Sequence, residues 1–517
     1  MVTLLLALFG LNLAVSARTS ETADERFHAN YGLRVLTGQP RRIAAFDNSK
    51  MPVSAANALP LVLAEQLPQG GWKRRLGTLH AARLATIVAA TALAFLVWRW
   101  TRTLYGPIAA GVALGSFVLD PNILAHSHLV TTDIFTALGL FAACWAAWRA
   151  SRSSEWRPVV VEGALLGAAQ LTKYFALMLY PLLAAIELVR ARFARPVFAE
   201  SARPRRLARF AVGVFVSWVV IHLGFGLDRA FTPLSAFDSW SAAFRRLAAT
   251  PGLRSLPIPL PDAYVTGLDM GINAESERQT FGRVYLLGKL YDSGVPGYYL
   301  IASLFKVPLP VLLLGAVAFA LYLRRFRTFD FWNDEIYLWA PLLAFSVYLN
   351  FFYNAQIGIR HFLIVFPFGY VLLGTLFRDR WATRAARLGL AALAAWLLAS
   401  VASAYPYYIP YFNELVPDRK LAYRILSDSN VDWRQAEGEL RDYLRRHPEA
   451  HYAPSEPVAG RVVIGATFLT GVLEGERFAW LRPLTPVDHI GYSLLVFDVP
   501  EEVAAQARAA TRSVANP

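Results

Sequence analysis

The 517-residue chain has one cysteine, Cys144. A lone thiol closes no intrachain disulfide and builds no cysteine-based metal site, and its place inside an apolar run assigns it to packing. Charge is also scarce. Asp, Glu, Lys and Arg make up 17% of the chain against 56% apolar residues, where a soluble protein carries roughly a quarter charged residues. The polar/apolar alternation of a membrane β-barrel is missing. So are internal repeats, low-complexity tracts and an HExxH zinc motif. Acidic residues are outnumbered, 37 against 51 Lys and Arg, for a formal net charge of +14. That excess does not point to nucleic acid. The arginines sit in short loops between apolar runs, the pattern that orients helices in a bilayer.

What is present is hydrophobic. Several runs approach the roughly 20 residues a helix needs to cross a bilayer, and a spanning backbone must satisfy its own hydrogen bonds. The expectation is a polytopic α-helical membrane protein with about 11 transmembrane helices. The runs lie at 2–17, 80–98, 107–124, 130–148, 157–171, 174–189, 210–224, 298–323, 336–353, 361–377 and 386–403. Ala14-Val15-Ser16-Ala17 resembles a signal-peptidase site, so cleavage of the first run stands as an alternative. Residues 18–78 form a first outer loop, interfacial from Ala55 to Leu67, and 225–297 a long outer loop rich in Pro and Gly. The segment 190–209, with Arg190, Arg192, Arg195, Arg203, Arg205, Arg206 and Arg209, is placed inside. So are the loops at Arg324, Arg325 and Arg327, and at Arg378, Arg380, Arg384 and Arg387. A transmembrane domain over 1–403 is then followed outside by a small soluble α/β domain over 404–517, with a helix from Leu421 to Arg446 and strands near 462–464 and 493–497.

Ionisable residues gather on the outer face. Asp24, Glu25 and His28 follow the first run, where an acidic pair beside a histidine suits proton abstraction next to a lipid-borne substrate. A solvated acidic loop is the plainer reading. The next outer turn holds Asp120, His126, His128 and Asp133. Such groups are costly there if idle, with helix capping by Asp120 or Asp133 as the alternative. The His-x-His pair lacks a clear third zinc ligand. Lys173, Lys306, Arg360 and His361 stand at membrane boundaries. A lysine there can snorkel to headgroups, but Arg360 and His361 open a helix, where a cation opposes the dipole unless an anion is bound. Carboxylates supply a base and cations hold a phosphate, and a sugar on a lipid phosphate needs both. The reading depends on Asp24 sharing a cavity with Lys173, Lys306 or Arg360. Asp428 and Asp432 in the tail read as turn and cap residues, or as lining for an acceptor path.

These blocks carry a resemblance. Asp24-Glu25 with His28, Leu119-Asp120-Pro121-Asn122 with Thr131-Thr132-Asp133, Leu171-Thr172-Lys173-Tyr174, Phe305-Lys306-Val307-Pro308, Ile359-Arg360-His361-Phe362 and Ser427-Asp428-Ser429-Asn430-Val431-Asp432-Trp433 recur in order. Together they resemble the protein O-mannosyltransferase-like branch of the GT-C glycosyltransferases, glycosyltransferase family 39, over residues 20–498. The resemblance implies a GT-C fold, a polyprenyl-phosphate sugar donor and inverting transfer on the outer face. Asp24 matches the family's catalytic acidic residue, with Glu25 beside it; the other outer-face residues become candidates for binding substrate and phosphate. Where relatives show His-Pro-Pro-Leu, this chain has Lys50-Met51-Pro52-Val53, so the acceptor, protein or glycolipid, stays open. No cofactor is required, although a divalent ion on Asp24, Asp120 and Asp133 is allowed. The expected activity is transfer of a hexose such as mannose at the cell (inner) membrane, with the site and the tail on the periplasmic side. A lipid A or other envelope glycolipid sugar transferase is the alternative within the fold. A lipid-linked sugar flippase is the alternative of another class, against which the one-sided clustering and the missing repeat argue.

Overall fold

A computed structural model of the chain describes residues 1–43, 47–194, 203–277, 283–377 and 383–515; Arg195, Arg378 and Arg380 of the basic loops lie outside them. Helices dominate the first four hundred residues. The longest, Leu79–Tyr105, begins where the Thr78 hydroxyl accepts a hydrogen bond from the Ala81 amide at 3.2 Å. It ends at Gly106, whose φ of 92° is open to glycine and closed to most side chains. Pro107 then occupies the first turn of Pro107–Val118, where a missing N–H costs nothing.

Among the described residues, five helices are long and apolar enough to cross a bilayer: Leu79–Tyr105, Tyr174–Phe193, Arg206–Gly224, Ile359–Phe377 and Arg384–Ala404. Tyr298–Lys306 and Leu309–Arg324, bent by 118° at the break between them, make a sixth if counted as one span. The chain is a multi-pass helical membrane protein. Eleven full-length spans are not reached, and the local reason is visible. The run expected over 107–124 stops at Val118, because Asp120 is extended and Pro121 opens a separate short helix, Pro121–His126. Small residues let some helices touch closely. A Cβ on Gly163 would lie 2.5 Å from the Gly213 carbonyl oxygen, and one on Gly167 2.7 Å from that of Ser217.

The tail carries a four-stranded sheet in the order His451–Tyr452, Gly460–Gly465, Leu494–Val499, Asp488–Ile490. Its first pair is parallel and the other two are antiparallel. The helix expected from Leu421 to Arg446 is a correction: it runs only over Glu437–Arg446, preceded by 3-10 turns at Arg419–Arg424 and Asp428–Asn430. Asp428 at φ 57° and Arg434 at φ 70° turn the chain twice, a conformation that no continuous helix of L-residues contains. The folded-back stretch buries Leu426, Val431 and Trp433 in the same hydrophobic cluster as Tyr298 and Ile359 of the membrane helices.

Candidate active site

A cavity of about 940 Å³ is lined jointly by the membrane helices, the loops that join them and the tail. Its charged wall holds Asp24, His28, Lys50, Asp133, Lys173, Arg360 and His361. Phe27, Met178, Leu268, Ile272 and Tyr348 give it an apolar wall, and Asp428, Asp432, Trp433, Tyr452 and Phe468 close it from the tail.

Asp24 immediately precedes the helix Glu25–Leu36. Its Oδ2 accepts from Arg360 Nη1 at 3.1 Å, and the same nitrogen lies 3.7 Å from Asp133 Oδ2. Asp133 Oδ1 in turn accepts from Lys173 Nζ at 2.5 Å. The result is a chain of alternating charge, Asp24–Arg360–Asp133–Lys173. Burial alone would raise the Asp24 carboxyl. Arg360, Lys50 and His28 together outweigh it, Arg360 foremost, and hold it at about 2. Lys50 stands at this wall with the Ser49 hydroxyl, 3.1 Å away, as its hydrogen-bond partner. Burial pulls its ammonium below the usual lysine range against the Asp24 charge. Burial and then Lys50 hold the His28 imidazole well below its usual range; its Nδ1 is 3.4 Å from the Ser54 hydroxyl. His361 Nδ1 lies 3.2 Å from the Ala355 carbonyl and 3.3 Å from the Tyr353 hydroxyl. Arg360 is 6% exposed, and its Nε is buried with no acceptor. The residue lines the cavity, where a guanidinium is suited to meet an anion.

Several expected site residues lie elsewhere. Glu25 is fully buried and faces away from the cavity. It forms a two-pronged pair with Arg83, Nε to Oε1 at 2.8 Å and Nη2 to Oε2 at 2.7 Å, and also accepts from the amides of Thr22 and Val130. Its lone pairs are committed to these donors, and it does not line the cavity. Asp120 caps the helix Pro121–His126, its Oδ1 accepting from the Asn122 amide at 2.6 Å and its Oδ2 from the Tyr370 hydroxyl. Lys306 donates to the carbonyls of Ile409 at 2.6 Å and Asn430 at 2.8 Å, so it ties tail to helix. His128 is buried between Thr19 and Leu124. His126 packs against Trp433 with the rings tilted by 54° and their centres 6.0 Å apart. Neither histidine lines the cavity. With Asp120 withdrawn, the Asp24–Asp120–Asp133 set does not assemble, and among the described residues no three His, Cys, Asp or Glu side chains group as a metal requires.

The sequence reading passed over Lys50, although a lysine one turn before a helix at an apolar rim was its signal. Asp428 and Asp432 do line the cavity. Burial, more than the nearby Arg360 offsets, pushes Asp428 up to about 7, and burial pushes Asp432 to about 6.

Solved structures of similar shape include the oligosaccharyltransferase of Archaeoglobus fulgidus in its apo form, at 14% identity and a TM-score of 0.48, covering 78% of this chain and 55% of that one. The AglB oligosaccharyltransferase of the same organism, in complex with an inhibitory peptide and a dolichol-phosphate, gives 14% and 0.46 over the same shares. ArnT from Cupriavidus metallidurans bound to undecaprenyl phosphate gives 14% and 0.33, covering 97% of this chain and 98% of that one. The chain spans about half the length of the archaeal structures it matches. No curated protein matches it. The family model of the dolichyl-phosphate-mannose-protein mannosyltransferases matches residues 76–220, a stretch that includes Asp133 and Lys173 but neither Asp24 nor Arg360.

Proposed function

We propose that the protein is an inverting glycosyltransferase that moves a hexose such as mannose from a polyprenyl-phosphate carrier to an acceptor hydroxyl. The observation that carries this is Arg360: paired on one edge with Asp24 and set in one cavity with Lys173 and Lys50. The carrier phosphate meets the Arg360 guanidinium and the two ammonium groups, and the apolar wall receives the first isoprene units. No cofactor is required in this reading; the three cations balance the phosphate charge.

The chemistry follows in one displacement. The acceptor oxygen attacks C1 of the sugar from the face opposite the phosphate. The C1–O bond breaks, its electron pair leaves with the phosphate, and Arg360, Lys173 and Lys50 stabilise that charge as it develops. The hydroxyl proton passes to Asp24. In the free protein Asp24 is a weak base, because Arg360 holds its carboxyl at about 2. A bound phosphate competes for the same guanidinium, and weakening the Asp24–Arg360 pair raises the basicity of Asp24 when substrate is present. With an inner amino terminus and the odd number of crossings read from the sequence, the cavity and the tail face the periplasmic side of the inner membrane. The acceptor is a protein or an envelope glycolipid.

The test is a panel of polyprenyl-phosphate sugars incubated with the purified protein, with release of free polyprenyl phosphate as the readout. One donor is consumed by the native protein. Asp24→Asn lowers that rate by about 10²–10⁴-fold, the usual worth of a positioned base, while still binding polyprenyl phosphate. Near-native turnover in Asp24→Asn removes Asp24 as the base, and a panel with no donor consumed removes the enzymatic reading.

A further inference from the structure

We propose that Trp433, in the tail, is a positioning residue that sets Arg360 for the carrier phosphate, so that the C-terminal domain is part of the active site. This rests on the carrier-phosphate reading above and adds to it the part that orients the principal cation. The Arg360 guanidinium carbon lies 4.1 Å from the centre of the Trp433 ring. Trp433 is 5% exposed and cannot swing away without opening the core. An aromatic face attracts the face of a guanidinium and leaves its in-plane N–H groups free. The indole therefore holds Arg360 without competing for the donors a phosphate uses. An arginine otherwise spreads over many rotamers, and fixing one of them in advance lowers the cost of binding.

The backbone around Trp433 supports the same assignment. The Trp433 carbonyl accepts from the amide of Ala23, the residue before Asp24, at 3.2 Å. Asn430 Oδ1 accepts from the amide of Ile359, the residue before Arg360, at 2.9 Å. The Ser429 hydroxyl donates to the Ile357 carbonyl at 2.7 Å. A Cβ on Gly358 would meet Ser429 Oγ at 2.2 Å, so this docking needs a glycine there. One short stretch of the tail thus grips the chain next to both members of the Asp24–Arg360 pair, which are 336 residues apart.

The experiment uses the full-length protein and polyprenyl phosphate as the probe. Trp433→Leu should weaken polyprenyl-phosphate binding, and raise KM for the consumed donor, by roughly three- to thirtyfold, the range of a cation–π contact from exposed to desolvated. Its kcat should change less than its KM, and Trp433→Phe, which keeps a ring, should recover most of the loss. In a double-mutant cycle, Trp433→Leu should add little once Arg360→Gln is present. If Trp433→Leu does not fold, Trp433→Met, which fills the space without a ring, runs in the same cycle. Native affinity in Trp433→Leu, or losses that simply add to those of Arg360→Gln, would overturn the proposal. A native protein that binds no polyprenyl phosphate overturns the carrier reading itself, and this inference falls with it.

Discussion

At the scale of single residues, the cavity holds carboxyls displaced in opposite directions. Asp24 sits at about 2 because Arg360, Lys50 and His28 together outweigh its burial. Its contribution to stability is present above about 4 and is lost as pH falls toward its folded value. Asp428 is raised to about 7, chiefly by burial, with Arg360 offsetting only part. The folded state therefore binds more protons than the unfolded one between about 4 and 7, and stability falls as pH rises through that window. Asn keeps the positive φ and the turn but cannot ionise. Asp428→Asn should accordingly flatten the dependence of Tm on pH, with the native protein losing on the order of 1–3 °C relative to the variant across that range. Parallel melting curves for the two proteins would show that the Asp428 charge is not destabilising. The sequence could not display these differences. It offers Asp24 as a catalytic candidate and Asp428 and Asp432 as turn, cap or lining residues, but not their ionisation, because the cation that separates Asp24 from the others comes from a helix start far along the chain.

At the scale of elements, the helix Glu25–Leu36 separates two neighbouring carboxylates. Consecutive helical positions point about 100° apart, so Asp24 turns to the cavity and Glu25 turns to Arg83. The acidic pair was legible in the sequence; which member faces substrate was not, because that depends on where Leu79–Tyr105 places an arginine 58 residues later. Asp120 and Asp133 repeat the lesson within one turn. Both had capping as an alternative, and Pro121 after Asp120 favours it as the cap, leaving Asp133 to pair with Lys173 and Arg360. Glu25→Ala should strand a fully buried arginine, at a cost of about 3–5 kcal/mol. The expected outcome is a lower yield of monodisperse protein by size-exclusion chromatography and a Tm several degrees down, whereas Asp24→Asn keeps both close to native. A Glu25→Ala protein that is as stable as native but inactive would return Glu25 to the chemistry.

At the scale of the whole molecule, composition and hydropathy were enough for a multi-pass helical protein, because a chain this apolar has no other place to put its runs. The docking of the tail was not legible, since it is made largely by backbone carbonyls, which carry no sequence signature. Lys306 shows the cost of that blindness: read as a phosphate ligand, it instead donates to the carbonyls of Ile409 and Asn430, with Phe412 beneath it at 4.8 Å. Asn413 adds two bonds of 2.7 Å to the carbonyls of Leu304 and Val307 on the same bent helix. Lys306→Met preserves length and apolar contact but removes the donors. Each lost bond from a charged group is worth about 1.5–3 kcal/mol, partly offset because no ammonium is then buried. The net effect should be a looser tail on an intact membrane domain, seen as faster limited proteolysis between residues 405 and 436 with unchanged membrane insertion. Transfer should fall with it, since Asn430 also holds the Ile359 amide beside Arg360. If instead Lys306→Met resists protease like the native protein and loses only its affinity for polyprenyl phosphate, then Lys306 reaches the carrier in the bound state and the tail is held by Asn413 and its neighbours alone.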